Sequence, residues 1–206
     1  MNKPLSVHDV DVLGEAVGKP IVLGIGGTLR PGSSSEQALR LALRAAADHG
    51  AATEIITADA LDFPAYDPAT ADSVVAAQAL IQAARRADCV IISSPGYHGG
   101  ISGLLKNALD YLQGLADDPR PYLQHKAVGC IVAAAGWQAG ATTLSSLRAT
   151  VHALRGWPTP LGVVVNSMTK PFGPDGEVVD AKVGEQLAIL GAEVVAFARA
   201  EVRRFA

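Results

Sequence analysis

"PIVLGIGGTLRPGSSSEQALRLAL", residues 20–43, is the stretch on which the fold turns. Its first six residues are aliphatic and bounded by proline and glycine, which predicts a short buried strand. Residues 34–49 then place Leu39, Leu41, Ala42 and Ala45 at helical spacing, with Gly50 positioned to end the helix. Strand, glycine-rich loop and helix in that order form the first half of a βαβ unit. The same alternation continues along the chain. Strands are predicted at "ATEIITA" (52–58), "CVIISS" (89–94), "KAVGCIVAAA" (126–135) and "PLGVVVN" (160–166), and helices at 73–86, 103–112, 142–154 and 181–203. On the second helix Val74, Ala77, Leu80, Ile81 and Ala84 take the apolar positions. Five strands alternating with five helices predict an α/β, doubly wound five-stranded parallel sheet of order 2-1-3-4-5 with helices on both faces. "SMTKPFGPDGEVVD" (167–180) carries a Pro-Asp-Gly turn and reads as an excursion outside the sheet.

The 206 residues, 49% of them hydrophobic, suffice for one substantial core, so a single domain over 20–206 is expected, preceded by an N-terminal arm at 1–19. A net charge of −3 with acids and bases interspersed gives no electrostatic footprint for nucleic acid or an anionic membrane surface. The first twenty residues lack the apolar core of a signal peptide and the arginine-rich amphipathy of a transit peptide, and a soluble, cytoplasmic protein is expected. Cys89 and Cys130 lie far apart inside apolar runs, as buried reduced thiols do, and the histidines have no metal-ligand spacing. No metal site, nucleophile or catalytic triad is expected.

In an open parallel sheet, ligands bind at the carboxyl ends of the strands where strand order reverses. The loop after the first strand therefore matters most. It fails as a dinucleotide fingerprint because Leu29 stands where GxGxxG needs its third glycine after Gly24 and Gly26. Gly27 and Gly32 have the spacing of a triphosphate loop, but Ser33 replaces the lysine that reaches the outer phosphates. What remains is a helix start with hydroxyls on Thr28, Ser33, Ser34 and Ser35 and one guanidinium, Arg30, a set suited to a terminal monophosphate. Ser33 with Glu36 also matches a capping box, which accounts for one serine without any ligand.

After the third strand, Pro95, Gly96, Tyr97, His98 and Gly99 form a turn whose backbone can border a flat heterocycle. After the fourth, Gly136, Trp137, Gln138 and Gly140 form another loop that allows close backbone approach. His98 reads as a hydrogen-bonding spacer ahead of an acid or base, Trp137 equally as a ligand neighbour or as interface packing, and Asp110 and Tyr111 as surface or interface.

Together these motifs resemble the NAD(P)H-dependent FMN reductase family of flavodoxin-like proteins. The resemblance rests on Gly27-Thr28-Leu29-Arg30 with Ser33 and Ser35, on Pro95, Tyr97, Gly103, Leu105, Lys106 and Asn107, and on the "FPAYDP" loop, and runs from about residue 21 to 189. It implies that Thr28, Arg30, Ser33, Ser34 and Ser35 hold the FMN phosphate. It further implies that Pro95, Gly96, Tyr97, His98 and Gly99 border the isoalloxazine, with Gly136, Trp137 and Gln138 approaching its other side. The chain departs from the family pattern at Thr28, Ser35, Gly96 and His98, where serine, asparagine, glutamate and asparagine are usual. Hydride transfer from NADPH or NADH to FMN is the activity implied, with a flavin-dependent monooxygenase as a recipient of reduced FMN. A homodimer or homotetramer is implied as well. An FMN-containing quinone or azo-compound reductase is the alternative on the same scaffold. A non-enzymatic flavodoxin-type carrier fits less well, since such carriers are strongly acidic for docking.

Overall fold

A computed structural model describes residues 18–205. The expected N-terminal arm lies, up to residue 17, outside the described residues. Among the described residues six strands occur: β1 (Ile21–Gly26), β2 (Ala52–Thr57), β3 (Cys89–Tyr97), β4 (Gly100–Ile101), β5 (Ala127–Ala134) and β6 (Trp157–Asn166). The helices are α1 (Ser34–Asp48), α2 (Val75–Arg86), α3 (Gly103–Asp110), α4 (Trp137–Ala153) and α5 (Ala181–Phe205). The sheet runs β2-β1-β3-β5-β6, all parallel, which is the expected order of five; two-residue β4 is an addition, turned back antiparallel on the end of β3.

Burial explains the order. β5 is buried along its whole length and β3 through Pro95, and both are continuous apolar or small-residue runs that suit the middle of a sheet covered on both faces. β6 carries Pro158 and Pro160, tolerable only on an edge where the missing N–H groups break no ladder. One core packs α2, α3 and α4 on one face through Leu80, Leu105, Leu109 and Leu147; the other packs α1 and α5 through Leu39, Leu43, Leu187 and Leu190. Cys89 and Cys130 are free and buried on opposite faces, and burial pushes both thiols up to about 12.

Several boundaries move, each for a local reason. β3 continues three residues past Ser94 because β4 pairs with its end. The helix expected at 142 starts at Trp137, since Gly136, with φ 113°, lets the chain turn directly into it. Gly140 lies inside α4 because the helix presses on β6: a Cβ there would overlap Val164 Cγ1. Tyr111, expected at the surface or an interface, is only 2% exposed. It meets Phe63 and Tyr66 edge-on, each at 5.3 Å, and its hydroxyl donates to Pro64 O. The segment after β6 lies off the sheet, as expected, closed by a single bridge between Phe172 and Val178. Among the described residues, no helix is long and apolar enough to cross a membrane.

Candidate functional site

A cleft of about 640 Å³ opens at the carboxyl ends of β1, β3 and β5. It lies where the chain passes from β1 outward to β2 on one side and to β3 on the other, the reversal point of the sheet. Thr28, Leu29, Arg30, Ser33, Ser34 and Ser35 form one wall; Pro95, Gly96, Tyr97 and the start of α3 (Ser102, Gly103, Leu104) form another. Ala133, Ala134, Ala135 and Ser167 complete it.

The first wall is built from β1 outward. Gly26 has φ 147° and lies against Ser93, whose carbonyl accepts from Gly27 N at 3.1 Å, so the loop leaves the sheet held to β3. Thr28 Oγ1 accepts from Arg30 N (3.0 Å) and donates to Arg30 O (3.1 Å), folding the loop on itself. Ser33 caps α1, its Oγ accepting from Glu36 N at 3.3 Å. Glu36 returns a bond to Gly32 N, one residue before the cap, and pairs with Arg40 at 2.7 Å. The capping reading is therefore met, and it draws only on acceptor capacity. Ser33 and Ser35 hydroxyls lie 3.2 Å apart, and the amides of Ser34 and Ser35 precede the first intrahelical bond, Gln37 N to Ser33 O. Arg30 is exposed and, among the described residues, in no ion pair. Glu36, the nearest acid in sequence, is neutralised by Arg40. Donors, cation and the positive end of the helix thus converge on one wall, as an oxyanion requires.

The second wall is a hairpin and a helix start. Gly96 pairs with Ile101 and Tyr97 with Gly100, leaving His98 (φ 51°) and Gly99 (φ 81°) as the two central residues of the turn, both left-handed as a type I′ turn demands. His98 is exposed at the tip, and neither it nor Gly99 is among the residues lining the cleft. Buried Ser94 fixes the hairpin to α3: its Oγ donates to Pro95 O (2.8 Å) and accepts from Ser102 N (3.0 Å). Ser102 in turn caps α3 through Leu105 N.

The third loop departs most from expectation. Gly136, Trp137 and Gln138 do not line the cleft; Trp137 and Gln138 form the exposed first turn of α4, Trp137 at 62%. Ala133–Ala135 take their place on that wall. Asn166 Oδ1 ties the loop to the end of β6 by accepting from Gly136 N (3.2 Å) and Met168 N (3.1 Å), which sets Ser167 at the cleft.

A family model, NADPH-dependent FMN reductase, matches residues 20–170. The chain belongs to that family. It is 33% identical over 112 residues to the NADPH azoreductase of Bacillus sp. (strain OY1-2), covering 54% of each protein. It is 32% identical over 116 residues to the FMN-dependent NADPH-azoreductase of Staphylococcus aureus, covering 56% of this chain and 58% of that protein. The chain thus spans little more than half the length of these curated relatives. Among solved structures, FerB, a flavoenzyme NAD(P)H:(acceptor) oxidoreductase from Paracoccus denitrificans, superimposes with a TM-score of 0.73 at 18% identity over 88% of this chain and 98% of that one. An apo NADH:FMN oxidoreductase gives 0.63 at 18% identity over 85% and 90%. These structures share the flavodoxin-like fold.

In this member of the FMN reductase family, the Leu105-Lys106-Asn107 stretch supports the cleft from outside it. Asn107 Oδ1 accepts from Tyr66 N (2.8 Å), and its Nδ2 donates to Phe63 O (3.2 Å) and Pro64 O (2.9 Å), pinning the "FPAY" loop over α3. Lys106 pairs with Asp110 on the surface. Asn107→Ala leaves Tyr66 N and Phe63 O without this partner, while Pro64 O keeps the Tyr111 hydroxyl, and is expected to lower stability by about 2–3 kcal/mol, read as a fall in the urea midpoint at unchanged slope. Ser102, Leu104, the alanines and Ser167 were not singled out in the sequence, where Leu29 and Gly103 figured only as motif positions. The run of three alanines and the Ser102 cap were the available signals for all but Ser167.

Proposed function

We propose that this chain binds FMN in the cleft and oxidises NADPH or NADH with it, as an NAD(P)H-dependent FMN reductase. The observation that carries this reading is the donor wall of Thr28, Arg30 and Ser33–Ser35 at the start of α1. The residues present fit the group. Hydroxyls, free helix-start amides and one guanidinium suit a terminal phosphate, with no metal required. Pro95, Leu104, Ala133 and Ala134 supply apolar walls for a flat ring, and the cleft volume lies within the roughly 300–1,000 Å³ usual for small-molecule sites. Bound FMN would supply two-electron transfer between the nicotinamide and an acceptor.

The chain's own part is to bind and orient. The first wall fixes the phosphate end. The Ser94 hydroxyl locks the β3–β4 hairpin against α3, so Gly96 and Tyr97 offer a rigid edge. The N-terminal turn of α3 faces the cleft with its partial positive charge and favours negative charge developing there. No side chain is assigned as an acid or base, in keeping with His98 at the exposed turn tip.

A quinone or azo-compound reductase holding FMN tightly is the second reading, favoured by the azoreductase names of the relatives and by exposed Leu29 and Tyr97 on the cleft wall. A homodimer or homotetramer, and delivery of reduced FMN to a monooxygenase, belong to the first. Anaerobic titration with NADPH and NADH, with and without added FMN, separates them. Bleaching of excess FMN over many turnovers is expected of a reductase that releases flavin. Bleaching of stoichiometric, co-purified flavin reversed by a quinone or azo dye marks the tightly held form. No bleaching with either nucleotide overturns both.

A further inference from the structure

At the other end of the sheet, where the parallel strands begin, a second cavity of about 280 Å³ lies between the C-terminus of α2 and the segment that leads into β5. Its walls include Arg85, Asp118, Arg120, Tyr122 and Lys126. Arg85 and Asp118 neutralise each other through two bonds, at 2.7 and 3.2 Å. Arg120 and Lys126 have no such partner: among the described residues neither is in an ion pair. Lys126 is 3% exposed, and its ammonium, which has three donors, gives one to Ala87 O at the end of α2. A third cation, Arg155, lies over the Tyr122 ring at 5.7 Å.

In a chain of net charge −3, this is a local excess of positive charge around a buried ammonium that, among the described residues, is in no ion pair. Such burial is unfavourable unless a negative group compensates it. The environment registers the cost: burial foremost, and then the charge of Arg120, push the Lys126 ammonium down to about 8, against a smaller opposing pull from Asp88 and Cys89. Three of the six described non-glycine residues with left-handed backbone, Tyr122, His125 and Arg155, also occur in this corner.

We propose that this cavity binds a small oxyanion, a carboxylate or phosphate group received by Lys126 and Arg120, at a site separate from the flavin cleft. Tyr122, Leu115 and Pro119 give the rest of such a ligand an apolar wall. The volume admits a small acid and excludes a dinucleotide.

Backbone-amide NMR of the full chain, titrated separately with sodium phosphate and sodium acetate at constant ionic strength, tests this with residue resolution and separates the cavity from Thr28–Ser35 at the cleft. Saturable shifts at Arg120–Lys126 are expected with at least one probe, and the stronger probe identifies the group. Arg120 is exposed and, among the described residues, in no ion pair, so Arg120→Ala keeps the fold; it is expected to weaken binding about tenfold, and Lys126→Met to abolish it. Three outcomes overturn the proposal: no saturable shift there with either probe, the same shifts with chloride alone, or wild-type affinity in Arg120→Ala.

Discussion

Gly26→Val is expected to yield no folded protein. Gly26 is the last residue of β1, paired with Thr57 on one side and Ser93 on the other, so it lies at the centre of the sheet. Its φ of 147° is a conformation that L side chains rarely adopt, at roughly 1–3 kcal/mol. A Cβ there would also overlap the carbonyl oxygen of Ser93 and stand 2.8 Å from its carbonyl carbon and 2.9 Å from its nitrogen. All of these are backbone atoms, which no rotamer change can move. Relief would require separating β1 from β3 and breaking the bond from Gly27 N to Ser93 O. Strain and lost pairing together are expected to exceed about 5 kcal/mol, comparable to the whole stability of a domain at about 5–15 kcal/mol. Soluble yield and far-UV circular dichroism check this. A soluble variant with a wild-type urea midpoint would mean that β1 and β3 do not meet as described.

Arg30→Ala combined with Ser34→Ala is expected to weaken FMN binding by about 10²–10⁴-fold while leaving the unfolding free energy in urea within about 0.5 kcal/mol of wild type. Arg30 is exposed and, among the described residues, in no ion pair, and Ser34 is half-buried on the cleft wall with its hydroxyl in none of the internal bonds described above. A hydrogen bond to a charged group contributes about 1.5–3 kcal/mol, so losing two gives the range stated. Ser33 is left in place deliberately. As the cap of α1 it stabilises the helix by about 1 kcal/mol, and removing it would mix a folding loss with a binding loss. Flavin fluorescence quenching on the folded variant decides the matter: unchanged affinity would move the phosphate away from this loop.

The strands and the first wall were legible in the sequence because both are local, and the strand order followed from the usual topology of a doubly wound sheet. Aliphatic runs between turn residues mark the strands, and hydroxyls crowded at one helix start mark the donor wall at Thr28–Ser35. The placement of the third loop was not legible, because Gly136 and Gly140 look alike in a sequence and do different work. The first turns the chain into α4, and the second removes a side chain where α4 meets β6. Tyr111 was misread for a similar reason, since its burial comes from Phe63 and Tyr66 some forty-five residues earlier, a contact that helical periodicity does not encode. Ser167 reaches the cleft through Asn166, and Arg120 and Lys126 gather in the second cavity, only once distant segments pack.

The central claim is that the cleft recognises a terminal phosphate carried by a flavin. Parallel binding titrations of the full chain with FMN and with riboflavin test it most directly, because the two ligands differ by that phosphate alone. The donor wall predicts FMN binding tighter by at least about 100-fold. Equal affinities would contradict the account and leave Thr28, Arg30 and Ser33–Ser35 as parts of a helix cap and nothing more.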